Sequence, residues 1–316
     1  MNLLTKVNIL PSERKIDYQD GILLLGSCFA DNIGAKFGEY YFQTTVNPFG
    51  TLYNPASIMK AIQLSMKKDT DHYLLQYNGL WHSMMHHGCF SHPEKEEVVR
   101  RCEASRTTLR QAMNDASTII VTFGTSWVYE MEGVLVANCH KLPANRFRRD
   151  CLTVNKIIDI WQHLLVQIPN KHWIFTVSPI RHIKDGLHAN HLSKATLMQA
   201  IDTLITNARL INPSSVYSYF PSYEIMLDEL RDYRFYAEDM VHPSPLAVDY
   251  IWQRFIDTYM SPTTQTQMRE LHQLWCDRHH RFLHPETPEA LLFAERTKKR
   301  LQDLQPQYPW ILTTDH

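Results

Sequence analysis

The amino-acid sequence predicts an α/β fold in which helices cover both faces of a parallel sheet. Apolar, β-branched runs indicate strands at 22–26, 117–123, 172–177 and 215–220, with a weaker run at 42–47. Three of these runs are almost continuously apolar, as expected for strands that are covered on both sides. Amphipathic helical patterns separate the runs, and strands that alternate with helices favour a parallel sheet.

Helical spacing of apolar residues is clearest in three segments, at 98–113, 154–168 and 190–208. In the second of these, Ile157, Trp161 and Leu164 recur three or four residues apart, which places them on one helix face. Ligands of parallel sheets bind beyond the carboxyl ends of the strands. The residues that directly follow each strand are therefore the first candidates for a functional site.

A boundary between two regions is predicted near Ser261, in the segment YMSPTTQTQ. Residues 1–260 are expected to form the main α/β domain, and residues 261–316 a helical extension. The extension has an apolar stripe over 268–282, and Thr287 before a proline is typical of a helix start. We expect a helical hairpin that packs on the core or on a partner, which would allow a homo-oligomer.

Charge and composition narrow the class of protein. The 316 residues include 32 Lys and Arg against 33 Asp and Glu, so the formal net charge is −1 and no global field favours nucleic acid or an anionic membrane. The N-terminus does not resemble a signal peptide, and no apolar run approaches the ~18 residues needed to cross a bilayer. Six cysteines without a CxxC pair indicate reduced thiols. We expect a soluble, cytoplasmic protein with neither a membrane nor a nucleic-acid partner.

The segment GILLLGSCFADNIGAKF, residues 21–37, places a serine and a cysteine side by side where the first strand meets a helix. Ser27 allows two interpretations at this point. It can cap the helix, or it can act as a nucleophile, because a helix N-terminus supplies free backbone N–H groups for an oxyanion. Gly26 permits a sharp turn in both cases.

A carboxylate and an imidazole lie three residues apart in the segment AEDMVHPSPLAVDYIW. This spacing lets one loop present His242 with Asp239 beside it, so that the carboxylate orients the ring as in a Ser-His-Asp triad. Ser244 and Pro245 predict a helix start, and the positive end of that helix dipole disfavours a charged imidazole. With 17 histidines in the chain, the pair is weak support when taken alone.

Several segments together resemble the GSCFA family, which is placed with the SGNH (GDSL-like) hydrolases. The segment LLLGSCFADNIG resembles the signature that gives the family its name, and similar segments follow in order at 46–58, 121–130, 176–197 and in EDMVHPSPLAVDYIW. The resemblance covers about residues 1–255. It implies a three-layer α/β/α sandwich with Ser27 as nucleophile, His242 as base and Asp239 as its orienting partner.

The resemblance also implies an oxyanion hole. In the SGNH hydrolases that the chain resembles, this hole is formed by the backbone N–H of the nucleophile, a glycine after the second strand and an asparagine after the third. Here Ser27 and Gly50 match the first two, whereas Ser126 stands where the wider superfamily has the asparagine. Either the Ser126 hydroxyl or the Asn47 amide is then the side-chain donor. Losing one such donor typically costs about 2.7–4 kcal/mol of transition-state stabilisation.

Cys28 competes with Ser27 for the role of nucleophile, because a thiolate at a helix N-terminus can be strongly activated. Adjacent side chains on a turn point in different directions, so only one of the two can face His242. The resemblance favours Ser27, with Cys28 packed inward.

Further residues are predicted to bind substrate. Arg181 and His182 follow the strand at 172–177, so we expect them on the rim of the site. There Arg181 would hold a carboxylate or phosphate, or else pair with Asp185. Trp127 is expected either to line an acyl or sugar pocket or to pack in the core.

For the His-rich segment WHSMMHHGCFSH, residues 81–92, the family resemblance suggests a loop over the site, and we expect His86 among the substrate-binding residues. Its histidines and Cys89 are residue types that bind soft metals, but their spacing matches no standard zinc motif. We therefore expect no metal and no cofactor.

Ester hydrolysis through an acyl-Ser27 intermediate is the function that these expectations favour. By fold-level analogy, the substrate is a small-molecule O-acyl ester, such as an acetylated carbohydrate or metabolite. Two alternatives stay open: acyl transfer on the same triad, and a non-catalytic binding or scaffold module.

Overall fold

The computed structural model describes residues 5–67 and 73–312. Its strands are β1 (Ile22–Gly26), β2 (Thr44–Val46), β3 (Leu74–Tyr77), β4 (Leu80–Ser83), β5 (Thr118–Phe123), β6 (Trp127–Met131), β7 (Val134–Val136), β8 (Arg148–Cys151), β9 (His172–Val177) and β10 (Val216–Phe220). Its helices are α1 (Cys28–Glu39), α2 (Pro55–Met66), α3 (Lys95–Asp115), α4 (Val154–Gln167), α5 (Leu187–Ile211), α6 (Ser222–Glu224), α7 (Pro245–Tyr259), α8 (Pro262–His279) and α9 (Pro288–Leu304).

Five parallel strands form the central sheet, in the spatial order β2-β1-β5-β9-β10. Leu24 of β1 lies opposite Val46 of β2 on one side and Ile120 of β5 on the other. The four strong apolar runs contain β1, β5, β9 and β10, and the weaker run contains the short strand β2. The predicted parallel sheet is therefore confirmed.

Helices cover both faces of this sheet. Successive residues of β1 point to opposite sides, so Leu23 and Leu25 enter one apolar core, whereas Ile22 and Leu24 enter a second. Helices α2, α3, α4 and α5 close the first core, in which Trp161 is fully buried. Helices α1, α7 and α8 close the second core. These layers form the expected three-layer α/β/α sandwich.

Most of the long helices begin where the sequence provides a cap. The side chains that accept a backbone N–H of the first turn are Asn54, Thr153, Ser244, Ser261 and Thr287. A proline follows four of these five caps, where its missing N–H removes no helical hydrogen bond. The predicted helix starts at Ser244 and Thr287 are therefore confirmed.

Two small antiparallel sheets accompany the central one: the hairpin β3–β4, and a sheet in the order β7-β6-β8. No strands are predicted here from the sequence, because these runs are short and mix apolar with charged residues, as in Arg148–Cys151. β6 begins soon after β5 ends, and it pairs with β8. The second small sheet therefore stands beside the carboxyl edge of the central sheet.

The C-terminal helices pack on the α/β core. Met268, Leu271 and Leu274 of α8 are buried in the same core as α1 and α7. Trp310 Nε1 donates a 2.8 Å hydrogen bond to the Tyr41 carbonyl oxygen. The division at Ser261 stays a prediction, since α8 shares a core with the preceding residues. Over residues 5–67 and 73–312, no helix has both the length and the apolar character that crossing a bilayer requires.

Candidate active site

A crevice lies at the carboxyl edge of the central sheet, between the loops that follow β1 and β5. The strand order reverses here, since β1 has β2 on one side and β5 on the other. Open parallel sheets bind their ligands at such a point. Ser27 follows β1 and Gly124 follows β5, and a Cβ placed on Gly124 would lie 3.5 Å from Ser27 Cβ. The two loops therefore meet at Ser27.

The turn before Ser27 requires glycine. Gly26 has φ +136°, and a Cβ at this position would lie 2.1 Å from the Thr122 carbonyl oxygen of β5. The same oxygen accepts the Ser27 N–H at 3.3 Å. The chain thus leaves β1 in direct contact with β5, which fixes the position of Ser27.

Ser27 is the N-cap of α1, as one of the two interpretations predicts. Its Oγ accepts the Phe29 N–H at 3.3 Å, and the residue is 1% exposed. Among the residues that the structure describes, Ser27 Oγ donates no hydrogen bond. The proton that a nucleophile must lose is therefore uncommitted there.

Asp239 and His242 form a hydrogen-bonded pair on the loop before α7. His242 Nδ1 lies 2.6 Å from Asp239 Oδ2, while Asp239 Oδ1 accepts the backbone N–H groups of Val241 and His242. These bonds, led by the one from the His242 N–H, lower the pKa of Asp239 to about 2. The carboxylate is thus ionised at neutral pH, and it favours the tautomer with the proton on Nδ1. His242 Nε2 is then the basic nitrogen.

Two cavities meet beside this pair. The larger, of about 940 Å³, is called the α1 groove: it follows α1 past Asp31 and Gly38 and ends at Trp275 of α8. The smaller, of about 340 Å³, is called the arginine pocket and is lined by Arg149 and Arg181 among others. The residues that line both cavities are Cys28, Tyr53 and His242.

No hydrogen bond joins Ser27 to His242 within the described parts of the chain. Ser27 lies beneath the surface that Cys28 and His242 share. His182 also approaches Ser27, since its Nε2 would lie 3.4 Å from a Cβ placed on the neighbouring Gly124. Burial lowers the pKa of His182 to about 4, so its imidazole is neutral at neutral pH.

Most of the predicted oxyanion donors are engaged elsewhere. The Ser27 N–H donates to Thr122, and the Gly50 N–H donates to the Asn47 carbonyl oxygen at 2.7 Å. Ser126 is fully buried, and its hydroxyl lies 3.0 Å from Ser193 Oγ and 2.9 Å from Cys151 Sγ. The Ser126 side chain is therefore held away from the cavities by its own partners.

Asn47 keeps a free donor. Its Oδ1 accepts the Gly26 N–H at 2.8 Å, and its Nδ2 donates one proton to Asp31 at 2.6 Å. Neither the second Nδ2 proton nor the Cys28 N–H, the first of α1, has a partner in the described structure. Both residues line the α1 groove. The sequence leaves open whether Ser126 or Asn47 is the side-chain donor of the oxyanion hole. In the structure, Asn47 is the one with an available donor.

Cys28 is half-buried and lines both cavities, so it is not packed fully inward. Burial, followed by the negative charge of Asp31, raises the pKa of its thiol. A protonated thiol is a poor nucleophile. The surroundings of Cys28 thus work against the role of nucleophile despite its place at a helix N-terminus.

Lys194 of α5 is a buried lysine that could not be singled out from the sequence. Its Nζ donates to the carbonyl oxygens of Gly124 and Ser178, each at 2.7 Å, and so connects the loops after β5 and β9. The residue is fully buried, and this burial lowers its pKa to about 7. Lysines of amphipathic helices usually face solvent, so the sequence carries no signal for this one.

Arg181 lies on the rim, as expected, but its alternative ion pair with Asp185 does not form. Arg149 of β8 binds Asp185 instead. The Arg181 guanidinium stacks on Tyr236, 4.0 Å from the ring centroid. Trp127 lies under the Arg149 guanidinium at 4.1 Å and lines the arginine pocket, so it is not a core residue.

His86 lies in the interior and lines neither of these cavities. It is 2% exposed, stacks on Phe49 at 4.2 Å, and its ring nitrogens contact the hydroxyls of Ser83 and Ser105. The prediction that His86 contacts substrate is therefore wrong, because this side chain packs in the interior. His87 of the same segment lines the α1 groove instead. Among the described residues, no three His, Cys, Asp or Glu side chains converge as a metal site would require.

Fold and site together define an α/β protein with a parallel sheet whose carboxyl edge carries a buried, helix-capping Ser27 and a hydrogen-bonded Asp239–His242 pair. The chain belongs to the GSCFA family, whose profile matches residues 21–255. No match was found among curated proteins or among solved structures. The matched region ends within α7, so Trp275 at the far end of the α1 groove lies outside it.

Proposed function

We propose that this protein is a serine hydrolase of the SGNH type, which cleaves a small O-acyl ester through an acyl-Ser27 intermediate. The observation that carries the proposal is the 2.6 Å contact between Asp239 and His242, beside a cavity wall that also includes Cys28, the neighbour of Ser27. An ionised carboxylate that accepts a hydrogen bond from Nδ1 leaves Nε2 as a general base.

The reaction then follows the logic of acyl transfer to water. His242 Nε2 takes the proton of Ser27 Oγ as this oxygen attacks the ester carbonyl. The imidazolium returns that proton to the leaving alcohol. Water enters, loses a proton to His242 and hydrolyses the acyl-enzyme, after which Ser27 regains its proton. For the first step, the Ser27 hydroxyl turns from the Phe29 N–H toward the cavities.

The donors that best suit the oxyanion are the Cys28 N–H and the second Nδ2 proton of Asn47. Asn47 and Cys28 both line the α1 groove, and neither donor has another partner in the described structure. The contacts of Asn47 with Gly26 and Asp31 hold its amide in one orientation. Preorganised donors of this kind account for a large part of catalysis in acyl transfer.

Matched variants of the two neighbouring side chains test this proposal. With 4-nitrophenyl acetate as substrate, we expect Ser27→Ala to lower kcat at least about 10³-fold, because it removes the nucleophile. Cys28→Ala, one residue away, should stay within a few-fold of the wild type. An unaffected Ser27→Ala, or loss of activity only in Cys28→Ala, would contradict the proposal.

The product distinguishes hydrolysis from transfer. The His242 and Asp239 side chains are 47% and 51% exposed, so water has direct access to the base. This access favours hydrolysis over acyl transfer, which would instead yield a new ester when a second alcohol is supplied. A protein without Ser27-dependent turnover of any ester would be the binding or scaffold module.

A further inference from the structure

We propose that the arginine pocket binds an anionic group, a carboxylate or a phosphate, and that the ester cleaved beside it belongs to an anionic molecule. The second half of this inference rests on the proposed function, whereas anion binding by the pocket does not. Three features support anion binding: the charge of the pocket, the lack of an acidic partner for Arg181 in the described structure, and the position of the pocket beside His242.

Basic side chains outnumber acidic ones around the arginine pocket. Its lining includes Arg149, Arg181 and Lys184, with Asp185 as the acidic member. The α1 groove on the other side of His242 contains the two carboxyl groups of Asp31 and Glu39. A negatively charged group is therefore attracted to the pocket and disfavoured in the groove.

Arg181 has no acidic partner among the described residues, because Asp185 is bound by Arg149. Its guanidinium is nevertheless held in place, since it stacks on Tyr236 at 4.0 Å and lies 5.4 Å from the ring centroid of Tyr233. Stacking fixes the plane of a guanidinium and leaves its N–H fork in that plane for a carboxylate or phosphate. Tyr233 and Tyr236 line a third cavity that Arg181 also borders, together with Asp228 and Asp232. Arg181 is thus a positioned cation without an ion pair in the described structure, and it stands between that cavity and the arginine pocket.

Arg149 and His182 supply further atoms without partners. Arg149 stacks on Trp127 at 4.1 Å, yet its Nε is buried and unpaired in the described structure, and so is His182 Nε2. Both residues line the arginine pocket, so a bound anion would lie beside side chains whose hydrogen-bonding capacity the protein does not use fully.

The position of the pocket connects such an anion to the reaction. Cys28, Tyr53 and His242 line both the pocket and the α1 groove. A group in the pocket therefore lies beside the base, and a volume of about 340 Å³ accommodates a small acid or a phosphate with several further atoms. The substrate class that fits is an ester with an anionic group a few bonds from the scissile bond.

Binding in the absence of turnover is the first test. Calorimetric titration of the Ser27→Ala protein at low salt with succinate and, separately, with inorganic phosphate should detect at least one of the two, and which one binds identifies the chemistry. Adding Arg181→Met should weaken that binding about 10- to 100-fold, because a charged hydrogen-bonding group is lost while its aliphatic packing is kept.

Two controls keep the binding test decisive. Arg110→Met removes the same charge from an exposed position on α3 and should leave the affinity unchanged. Arg181→Lys keeps the charge, and should restore part of the affinity if the loss in Arg181→Met is electrostatic. Absence of binding by both anions, or equal affinity with and without the Arg181→Met substitution, would overturn the proposal.

Kinetics connect the pocket to the substrate. The test uses two 4-nitrophenyl esters of similar acyl length, one ending in a carboxylate and one in a methyl group. Arg181→Met should raise the KM of the carboxylate ester at least about tenfold and leave the KM of the methyl-terminated ester unchanged. Anion binding that depends on Arg181, without any Ser27-dependent hydrolysis, would refute the proposed esterase activity and support the proposed anion site. Ser27-dependent hydrolysis in which Arg181→Met leaves the KM of both esters at the wild-type value would refute the proposed binding of an anionic substrate in the pocket and support the esterase activity.

Discussion

At Gly26, the backbone passes so close to β5 that a methyl group would overlap the Thr122 carbonyl oxygen. The Gly26 N–H donates to Asn47 Oδ1, and Asn47 in turn donates to Asp31. One residue without a side chain therefore allows the close packing of two strands and also orients the amide that we assign to the oxyanion. A change at Gly26 should affect stability and catalysis together.

We expect Gly26→Ala to lower the free energy of unfolding by at least about 2 kcal/mol, because strain from the positive φ adds to the overlap with β5. Gly133→Ala is the matched control, since Gly133 also has a positive φ, +79°, but nothing lies within 4 Å of its Cβ position. Denaturant unfolding of the two variants separates overlap from strain. Equal losses would show that the contact with Thr122 is unimportant.

At the scale of elements, α8 differs from α9 in how it contacts the rest of the chain. Leu271 and Leu274 of α8 are fully buried against α1 and α7, whereas Leu291 and Leu292 of α9 are 57% and 48% exposed. α8 also supplies Trp275 to the α1 groove. We infer that α8 is needed for the stability of the α/β core, and that α9 contributes less.

Leu271→Ala should destabilise the protein by about 2–5 kcal/mol, because it opens a cavity in a core that α8 shares with the central sheet. Leu291→Ala on α9 is expected to change the free energy of unfolding by no more than about 0.5 kcal/mol. In the contrary outcome, Leu271→Ala unfolds α8 alone, and the α/β core unfolds at the same denaturant concentration as in the wild type. The predicted boundary at Ser261 would then separate two independent units.

At the scale of the whole molecule, three histidines with lowered pKa values make folding sensitive to acid; His172 is fully buried, and His140 and His182 are half-buried. Burial is the largest cause of the lowered pKa, about 4, of His140, His172 and His182. In the unfolded chain an imidazole titrates near its ordinary pKa of about 6.5. Between these values the unfolded state binds more protons than the folded state, so stability falls as the pH falls from about 6.5 toward 4.

Replacing one of these histidines tests the sign of this effect. In His172→Asn, the slope of the free energy of unfolding against pH between 6.5 and 4.5 should decrease by the equivalent of up to about one bound proton. His188→Asn, at an exposed position, serves as control and should keep the wild-type slope. A slope that is the same in both variants would show that His172 titrates normally in the folded protein.

The fold was more predictable than the site, for a physical reason. Periodic apolar residues report burial directly, so the five strands of the central sheet and helices such as α4 and α5 could be located from sequence. The residues of the site that follow a motif, Ser27, Asp239 and His242, could also be singled out. Lys194 and Arg149 could not, because a lysine on an amphipathic helix and an arginine in a short polar strand look like surface residues until the tertiary contacts bury or stack them.

The loop that carries Asp239 and His242 holds its own geometry. The contacts of Asp239 with Val241 and His242 are internal to the loop, as is the 2.8 Å bond from the Ala237 N–H to the His242 carbonyl oxygen. A rigid displacement of this segment toward α1 would keep the acid and the ring in register with each other. The Arg181 N–H donates to the Val241 carbonyl oxygen at 3.3 Å, so the main chain of the anion-facing arginine is tethered to the segment that bears the base.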